Sequence, residues 1–194
     1  ESDVGNCEQV FKLIKNSKYK IEKRYLFDVQ VKDDSNNESY ICANDIVFSR
    51  GKSARTMKIN VYNHDILVNR YEGDGLIIST ANGSTAYSLS AGGPIIYPTL
   101  DLMTLTPICS HSLSTRSIVL DGESKLKILF TDDKKIRTLA IDGQLNINIK
   151  DNTIININVS NTHVNFLIPD TSDYFKKLRH KMGWHNNIND KSYS

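Results

Sequence analysis

The chain has 194 residues, enough for one domain of ordinary size or two small ones. Hydrophobic residues make up 39% and charged residues 24%, a balance that excludes a disordered chain, and the net charge of +2 is too mild to argue for nucleic acid or a membrane surface as the main partner. The three cysteines, Cys7, Cys42 and Cys109, form no CxxC pair, so neither a disulfide framework nor a zinc site is suggested, and a reducing, cytoplasmic setting fits best. No apolar run approaches a membrane span. The sequons Asn82-Gly83-Ser84 and Asn158-Val159-Ser160 are discounted as chance matches.

In chain order, residues 8–16 carry apolar positions at Val10, Phe11, Leu13 and Ile14, the pattern of a short amphipathic helix. Leu26, Val29 and Val31 then sit in a short β-type run, followed by a polar turn over 33–39. Ile46–Phe48 is apolar. Met57, Ile59 and Val61 alternate with polar residues, and Asn63-His64-Asp65 reads as a hairpin turn before Ile66–Tyr71.

The carboxyl half repeats the pattern. Leu126, Ile128 and Phe130 alternate, as do Leu145, Ile147 and Ile149, then Ile155, Ile157 and Val159. Asp142-Gly143 between such runs is a strong hairpin signal, because both residues tolerate positive φ. Val164–Ile168 predicts one more strand. Residues 171–184 read as a terminal helix, with Ser172 or Asp173 as N-cap and Gly183 as the stop. Its basic last turns suit the helix dipole; an acidic partner is the other use for such a run. Residues 185–194 read as a loose tail. Strands recurring at this spacing predict a mainly β domain, sandwich or barrel-like around one core, with short helices near 8–16, 85–91 and 173–182.

Residues 73–98 carry the candidate chemistry. Leu76–Ser79 is an apolar strand, Ala81-Asn82-Gly83 a turn, and Ser84-Thr85 are good caps for a helix over Thr85–Ala91, stopped by Gly92-Gly93-Pro94. Strand, glycine turn and hydroxyl-rich helix start can aim free N–H groups at a polar or anionic ligand, and Tyr87 adds an aromatic face. A ligand site and an ordinary capped helix both fit this pattern. No GxxxxGK[ST] loop is present.

The order Gly73-Asp74-Gly75-Leu76, Ser79-Thr80, Gly83-Ser84-Thr85-Ala86-Tyr87-Ser88 and Ala91-Gly92-Gly93-Pro94 closely resembles a run in the NAD kinases. LTPICSHSLSTRSIVL at 105–120, Asn44-Asp45, Arg50-Gly51, Asp142-Gly143-Gln144 and the closing Phe175–Trp184 segment are similar to the same family in the same order, from about Tyr19 to Trp184. The departures are specific. The family's Gly-Gly-Asp-Gly loop, whose Asp is the usual base candidate, is absent, since Glu72 precedes Gly73-Asp74-Gly75. The family's Asn-Glu pair is Asn44-Asp45 here, shorter by one methylene.

The resemblance implies the fold of a NAD kinase carboxyl-terminal domain, a mainly β, two-layer sandwich-like domain over 19–184 after a helical lead-in over 1–18. It implies transfer of the ATP γ-phosphoryl to the adenosine-ribose 2′-hydroxyl of NAD, with Mg²⁺ on the nucleotide phosphates and the catalytic base in an amino-terminal α/β domain outside this chain. No catalytic residue and no protein-bound metal are then expected among these residues. It implies NAD binding by Asn44, Asp45, Asn82, Thr85, Ala86, Tyr87, Ser90 and Asp142. It further implies that Asp74 and Cys109, the latter through its backbone, reach a dinucleotide held by a neighbouring subunit of a homo-oligomer, dimer or tetramer. Bland readings stand beside each: turn pairs for Asn44-Asp45, Asp74 and Asp142, a packed ring for Tyr87, a small buried residue for Cys109. Arg116 meets a phosphate or ties two strands together. His111 has no acid or second histidine at metal spacing and reads as structural. Two rival functions remain: a related lipid or sphingoid-type kinase domain, and a non-catalytic nucleotide-binding or scaffolding module. No nucleic acid or membrane partner is expected.

Overall fold

The computed structural model describes residues 7–51, 56–132 and 137–184, which form two compact units. The smaller comprises 1–22 and 166–194, the larger 23–165; two long strands, β1 (Tyr19–Lys32) and β12 (Ile154–Pro169), supply residues to both.

In the smaller unit the helix α1 (Cys7–Lys15) ends where Ser17 takes a positive φ. The Asp170 N–H donates to the Lys18 carbonyl at 3.2 Å, tying the two chain segments together. The terminal helix α3 (Tyr174–Met182) starts at Asp173, whose carboxylate accepts from the Lys176 N–H at 3.0 Å, and stops at Gly183 in the left-handed region. Of the two predicted N-caps, Asp173 is therefore the one used. The predicted tail at 185–194 lies outside the described residues. No helix among the described residues is long and apolar enough to cross a membrane.

The larger unit is a pair of antiparallel sheets around one core. The first sheet has the order β2 (Asn37–Cys42), β1, β12, β9 (Lys125–Phe130), β4 (Met57–Asn63), β5 (Ile66–Gly73). The second has the order β11 (Leu145–Ile149), β10 (Arg137–Ile141), β3 (Asp45–Ser49), β6 (Gly75–Thr80), β7 (Leu102–Ile108), β8 (Ile118–Asp121). Period-two alternation turns Phe27, Ile59, Val61, Leu126, Ile128, Ile155 and Ile157 inward from the first sheet, and Ile46, Phe48, Leu76, Ile78, Met103, Leu105 and Leu139 inward from the second. The mainly β, two-layer expectation holds. At the β4–β5 tip His64 and Asp65 both take positive φ, as a tight two-residue hairpin turn requires.

Three expectations need correction. The run at Leu26–Val31 is only the end of the 14-residue β1. Val164–Ile168 is not a separate strand, because β12 runs unbroken for 16 residues. The polar residues Ser160–His163 interrupt the alternation, but strand continuity is set by backbone pairing and not by side-chain polarity. The polar turn spans only 33–36: the Asp33 carboxylate accepts from the Ser35 and Asn36 N–H groups, both at 2.8 Å, and the chain is extended again from Asn37.

The strand β6 anchors the stretch of chain that carries the candidate chemistry. All six residues of β6 are buried, so both of its faces are covered. Leu76 and Ile78 face the core; Ile77 and Ser79 face outward beside Thr106 and Thr104 of β7. That outer face is covered by the segment immediately after β6. Ser79 Oγ pairs with Thr104 Oγ1 at 2.6 Å, and Ser88 Oγ of the covering segment pairs with Thr106 Oγ1 at 3.0 Å. These buried hydroxyls are satisfied by each other, as burial demands.

Candidate functional site

Strand register brings three turns to one end of β6. Antiparallel pairing sets Ile46 of β3 opposite Ile141 of β10, so the next residues, Asp45 and Asp142, come together. The same pairing sets Asp45 opposite Ser79 of β6, which places Asn44 beside Thr80.

Asp142 sits at the β10–β11 turn with φ +52°, followed by Gly143 at +66°. Its carboxylate is spent on the turn between β2 and β3. One oxygen accepts from the Asn44 N–H at 2.6 Å and the Asp45 N–H at 3.2 Å; the other accepts from the Ala43 N–H at 2.8 Å. The buried Cys42 thiol donates to the first oxygen as well, at 3.3 Å. Burial, with the Asp142 and Asp45 carboxylates nearby, pushes that thiol well up from its ordinary range, so Cys42 is a hydrogen-bond donor and not a nucleophile. In return the Asp142 N–H donates to the Asp45 carbonyl at 2.9 Å.

Thr80 holds the same turn from the other side. Its N–H donates to the Asn44 carbonyl at 2.9 Å, and its hydroxyl donates to the Ala43 carbonyl at 2.8 Å while accepting from the Gly83 N–H at 3.0 Å. Asn82 donates its side-chain amide to the Asn44 side-chain carbonyl at 2.8 Å. Gly83 lies directly on the Asn44 backbone, with no room for a Cβ.

The predicted helix over Thr85–Ala91 is shorter and differently built. Residues Asn82–Thr85 make one 3-10 turn, and the helix α2 spans only Tyr87–Ser90. Neither Ser84 nor Thr85 is its N-cap; that position is Ala86, with no side-chain cap. Ser84 instead donates to the Ala81 carbonyl at 2.7 Å and accepts from the Ile96 N–H at 3.1 Å, stitching the segment's two ends. The Tyr87 N–H lies against the Asp45 carboxylate and favours its charged form. Tertiary hydrogen bonds have taken over the partners that local capping would have used.

The segment thus has two sides. Ser84 and Ser88 are buried underneath, whereas Ala86, Tyr87 and Ser90 are exposed and Asn82 and Thr85 half-buried. The Tyr87 ring is 47% exposed, so a packed core ring is not what it is. Asp45 is only 5% exposed, and burial, more than the neighbouring Asp142 charge, raises its pKa above the ordinary 3.8 against the opposing Tyr87 N–H. Amides, a buried carboxylate, hydroxyls and an open aromatic ring converge, a set able to hydrogen-bond sugar hydroxyls and lie against a flat ring.

The raised pKa has a measurable consequence. Ionising Asp45 costs the folded state more than the unfolded one. Its contribution is therefore best below the ordinary 3.8 and is lost as pH rises through the folded value. Asp45→Asn, which keeps an acceptor for the Tyr87 N–H, should stabilise the chain by about 1 kcal/mol near neutral pH. The gain should shrink toward about pH 4. Urea titrations across that range check it; a gain that grows on acidification would contradict the sign.

Asp74 and Cys109 lie elsewhere. They are at the opposite end of β6, roughly 20 Å away at about 3.3 Å per residue. There the Asp74 N–H donates to the Ile108 carbonyl at 3.0 Å, and the Asp74 carboxylate pairs with Arg50 at 3.0 Å. Cys109 is exposed and at φ +45°, not a buried small residue, and Gly73 lies against its carbonyl. Arg116 does not tie two strands together: its guanidinium donates to the Leu113 and Thr115 carbonyls at 2.8 and 2.9 Å, bracing its own loop. His111 is exposed, and its N–H donates to the Glu72 carbonyl at 3.0 Å. No cluster of three metal-ligating side chains occurs among the described residues.

A cavity of about 700 Å³ lined by Leu129, Phe130, Asp132, Arg137, Asp151 and Ile154 shares no residue with this cluster. Its wall is the buried Arg137, ion-paired to Asp132 at 3.0 Å and Asp151 at 3.2 Å and stacked 5.1 Å from the Phe130 ring centre. Arg137 is thereby engaged by two carboxylates and a ring.

The model of the ATP-NAD kinase C-terminal domain matches residues 43–168, which contain every predicted site residue from Asn44 to Asp142. The chain belongs to the NAD kinase family, as its carboxyl-terminal domain. It is 39% identical over 180 residues to an NAD kinase of Clostridium beijerinckii, covering 93% of this chain and 63% of that protein. It is 37% identical over 183 residues to an NAD kinase of Caldanaerobacter subterraneus subsp. tengcongensis, covering 94% and 65%. The chain thus spans a little under two thirds of these relatives' length. Among solved structures, a yeast NADH kinase complexed with NADH superposes with a TM-score of 0.87 at 25% identity, over 96% of this chain and 55% of that one. An NAD kinase from Archaeoglobus fulgidus in complex with ATP shares the fold, with a TM-score of 0.72 at 23% identity over 92% of this chain and 66% of that one.

Sequence reasoning missed Thr80, Cys42 and the Ser88–Thr106 pair. Hydroxyls inside the otherwise apolar run at 76–80 were the available signal, since a buried Ser or Thr must find a partner.

Proposed function

We propose that this chain is the dinucleotide-holding half of an NAD kinase, which transfers a phosphoryl group from ATP to the adenosine-ribose 2′-hydroxyl of NAD. The observation that carries the reading is the meeting of Asn44-Asp45 with Asn82–Tyr87, two segments far apart in sequence, joined by the Asn82–Asn44 hydrogen bond at 2.8 Å, with the Tyr87 N–H set against the Asp45 carboxylate. Asn44, Asp45, Asn82, Thr85, Ala86, Tyr87 and Ser90 form the binding surface. The half-exposed Tyr87 ring takes the base, and the amides and carboxylate take sugar hydroxyls. Their share of catalysis is positioning. Mg²⁺ comes with the nucleotide phosphates and supplies charge neutralisation there.

Asp74 and Cys109 serve a different ligand copy. Their place at the far end of β6, roughly 20 Å from the first cluster at about 3.3 Å per residue, supports a homo-oligomer in which each subunit completes a neighbour's site. The compartment proposed is the cytoplasm.

Isothermal titration tests this reading. The chain should bind NAD or NADP and ignore sphingoid bases and other lipids. Lipid binding would favour a lipid-type kinase, and saturation by neither would favour a scaffolding module. Lacking a Gly-Gly-Asp-Gly loop, these 194 residues should form no detectable NADP from NAD and Mg-ATP. Turnover would place the base within this chain. Sedimentation velocity at micromolar concentration should show at least a dimer, and a clean monomer would count against the shared site.

A further inference from the structure

Asp142 faces the candidate site, yet its carboxylate is turned to the protein's own backbone. Three consecutive N–H groups, those of Ala43, Asn44 and Asp45, converge on it at 2.8, 2.6 and 3.2 Å, and the Cys42 thiol makes a fourth donor. A carboxylate that accepts several N–H bonds is held strongly, and little of it remains for a ligand hydroxyl. The turn it sits in is suited to the task. Asp tolerates the positive φ of +52° found there, and its short side chain reaches back across the β3–β10 pair.

We propose that Asp142 is a positioning residue: its carboxylate fixes the Ala43–Asp45 backbone in the shape that presents the Asn44 and Asp45 side chains to a dinucleotide, without touching the dinucleotide itself. This rests on the reading of Asn44 and Asp45 as ligand contacts. The two backbone holds on this turn are complementary. Asp142 takes its N–H groups, and Thr80 takes the Ala43 and Asn44 carbonyls. With both in place the peptide cannot rotate, and the Asn44 side chain is aimed at Asn82.

Asp142→Asn tests it, since Asn also accepts positive φ but puts an NH₂ where one of the N–H groups now donates. NAD affinity of the folded variant should fall about tenfold, in line with losing hydrogen bonds to a charged acceptor. Amide exchange at Ala43, Asn44 and Asp45 should quicken by about tenfold or more. Weaker binding with the three amides protected as before would make Asp142 a direct ligand contact and overturn the proposal. Faster exchange with full affinity would overturn it too, leaving Asp142 purely structural. A second measurement needs no variant. Saturating NAD should shift the Asn44 side-chain amide signals in the wild-type chain and leave the Asp142 carboxyl carbon in place; a large shift at that carbon overturns the proposal. A wild-type chain that binds no dinucleotide at all removes the site reading itself, a failure seen before any variant is made.

Discussion

Gly83→Ala should be among the most damaging single substitutions in the chain, destabilising it by about 3 kcal/mol or more. The backbone of Gly83 lies directly on that of Asn44, so an added Cβ would collide with the Asn44 carbonyl carbon and oxygen, neither of which can swing aside as a side chain does. The Asn44 carbonyl is itself pinned by the Thr80 N–H at 2.9 Å, and the Gly83 N–H donates to the Thr80 hydroxyl at 3.0 Å. Relief therefore requires breaking hydrogen bonds between β6 and the β2–β3 turn together. Urea denaturation measures the loss. The folded fraction should also bind NAD poorly, because the collision separates Asn82 from Asn44. A variant of wild-type stability would show that the two backbones are not in contact. The result expected at Gly92 is milder: its φ of +86° strains an added side chain, but open space surrounds it.

The second large effect is on binding alone. Tyr87→Ala removes a ring and a hydroxyl from the open side of the covering segment. It keeps the backbone N–H that faces Asp45. Loss of a stacked or hydrogen-bonded group should weaken NAD or NADP binding by roughly 1–3 kcal/mol, a factor of about ten to a hundred. A ring packed in the core would instead cost roughly 3 kcal/mol of folding stability. Tyr87 is 47% exposed, so stability should change by only about 0.5 kcal/mol. Calorimetric titration and thermal melting on the same variant separate the two. A large drop in melting temperature with intact binding would make Tyr87 structural and would remove the most distinctive element of the proposed site.

Much of this architecture is written locally in the chain. Alternation at Met57–Val61, Leu126–Phe130 and Leu145–Ile149 identifies strands because side chains on a pleated backbone face opposite ways with period two, whatever the rest of the fold does. Turns at His64-Asp65 and Asp142-Gly143 are legible because positive φ is a property of single residues. The Asp173 cap and the Gly183 stop of α3 are legible for the same reason. The order of motifs from Asn44-Asp45 to Gly143 is likewise a property of the chain alone and marks the family.

What only the tertiary structure decided is which partner each polar group takes. Ser84 and Thr85 look like helix caps, yet Ser84 closes on Ala81 and Ile96 because the segment is folded down on the outer face of β6 and β7. The Tyr87 N–H looks available for a ligand until Asp45, 42 positions earlier, is brought under it by the pairing of β3 with β6. Asp142 looks like any hairpin Asp until register sets it beside a turn 97 to 99 residues away. In each case the side chain's local chemistry admits several hydrogen bonds of similar strength, and strand register, set by burial of alternate apolar residues along whole strands, selects among them.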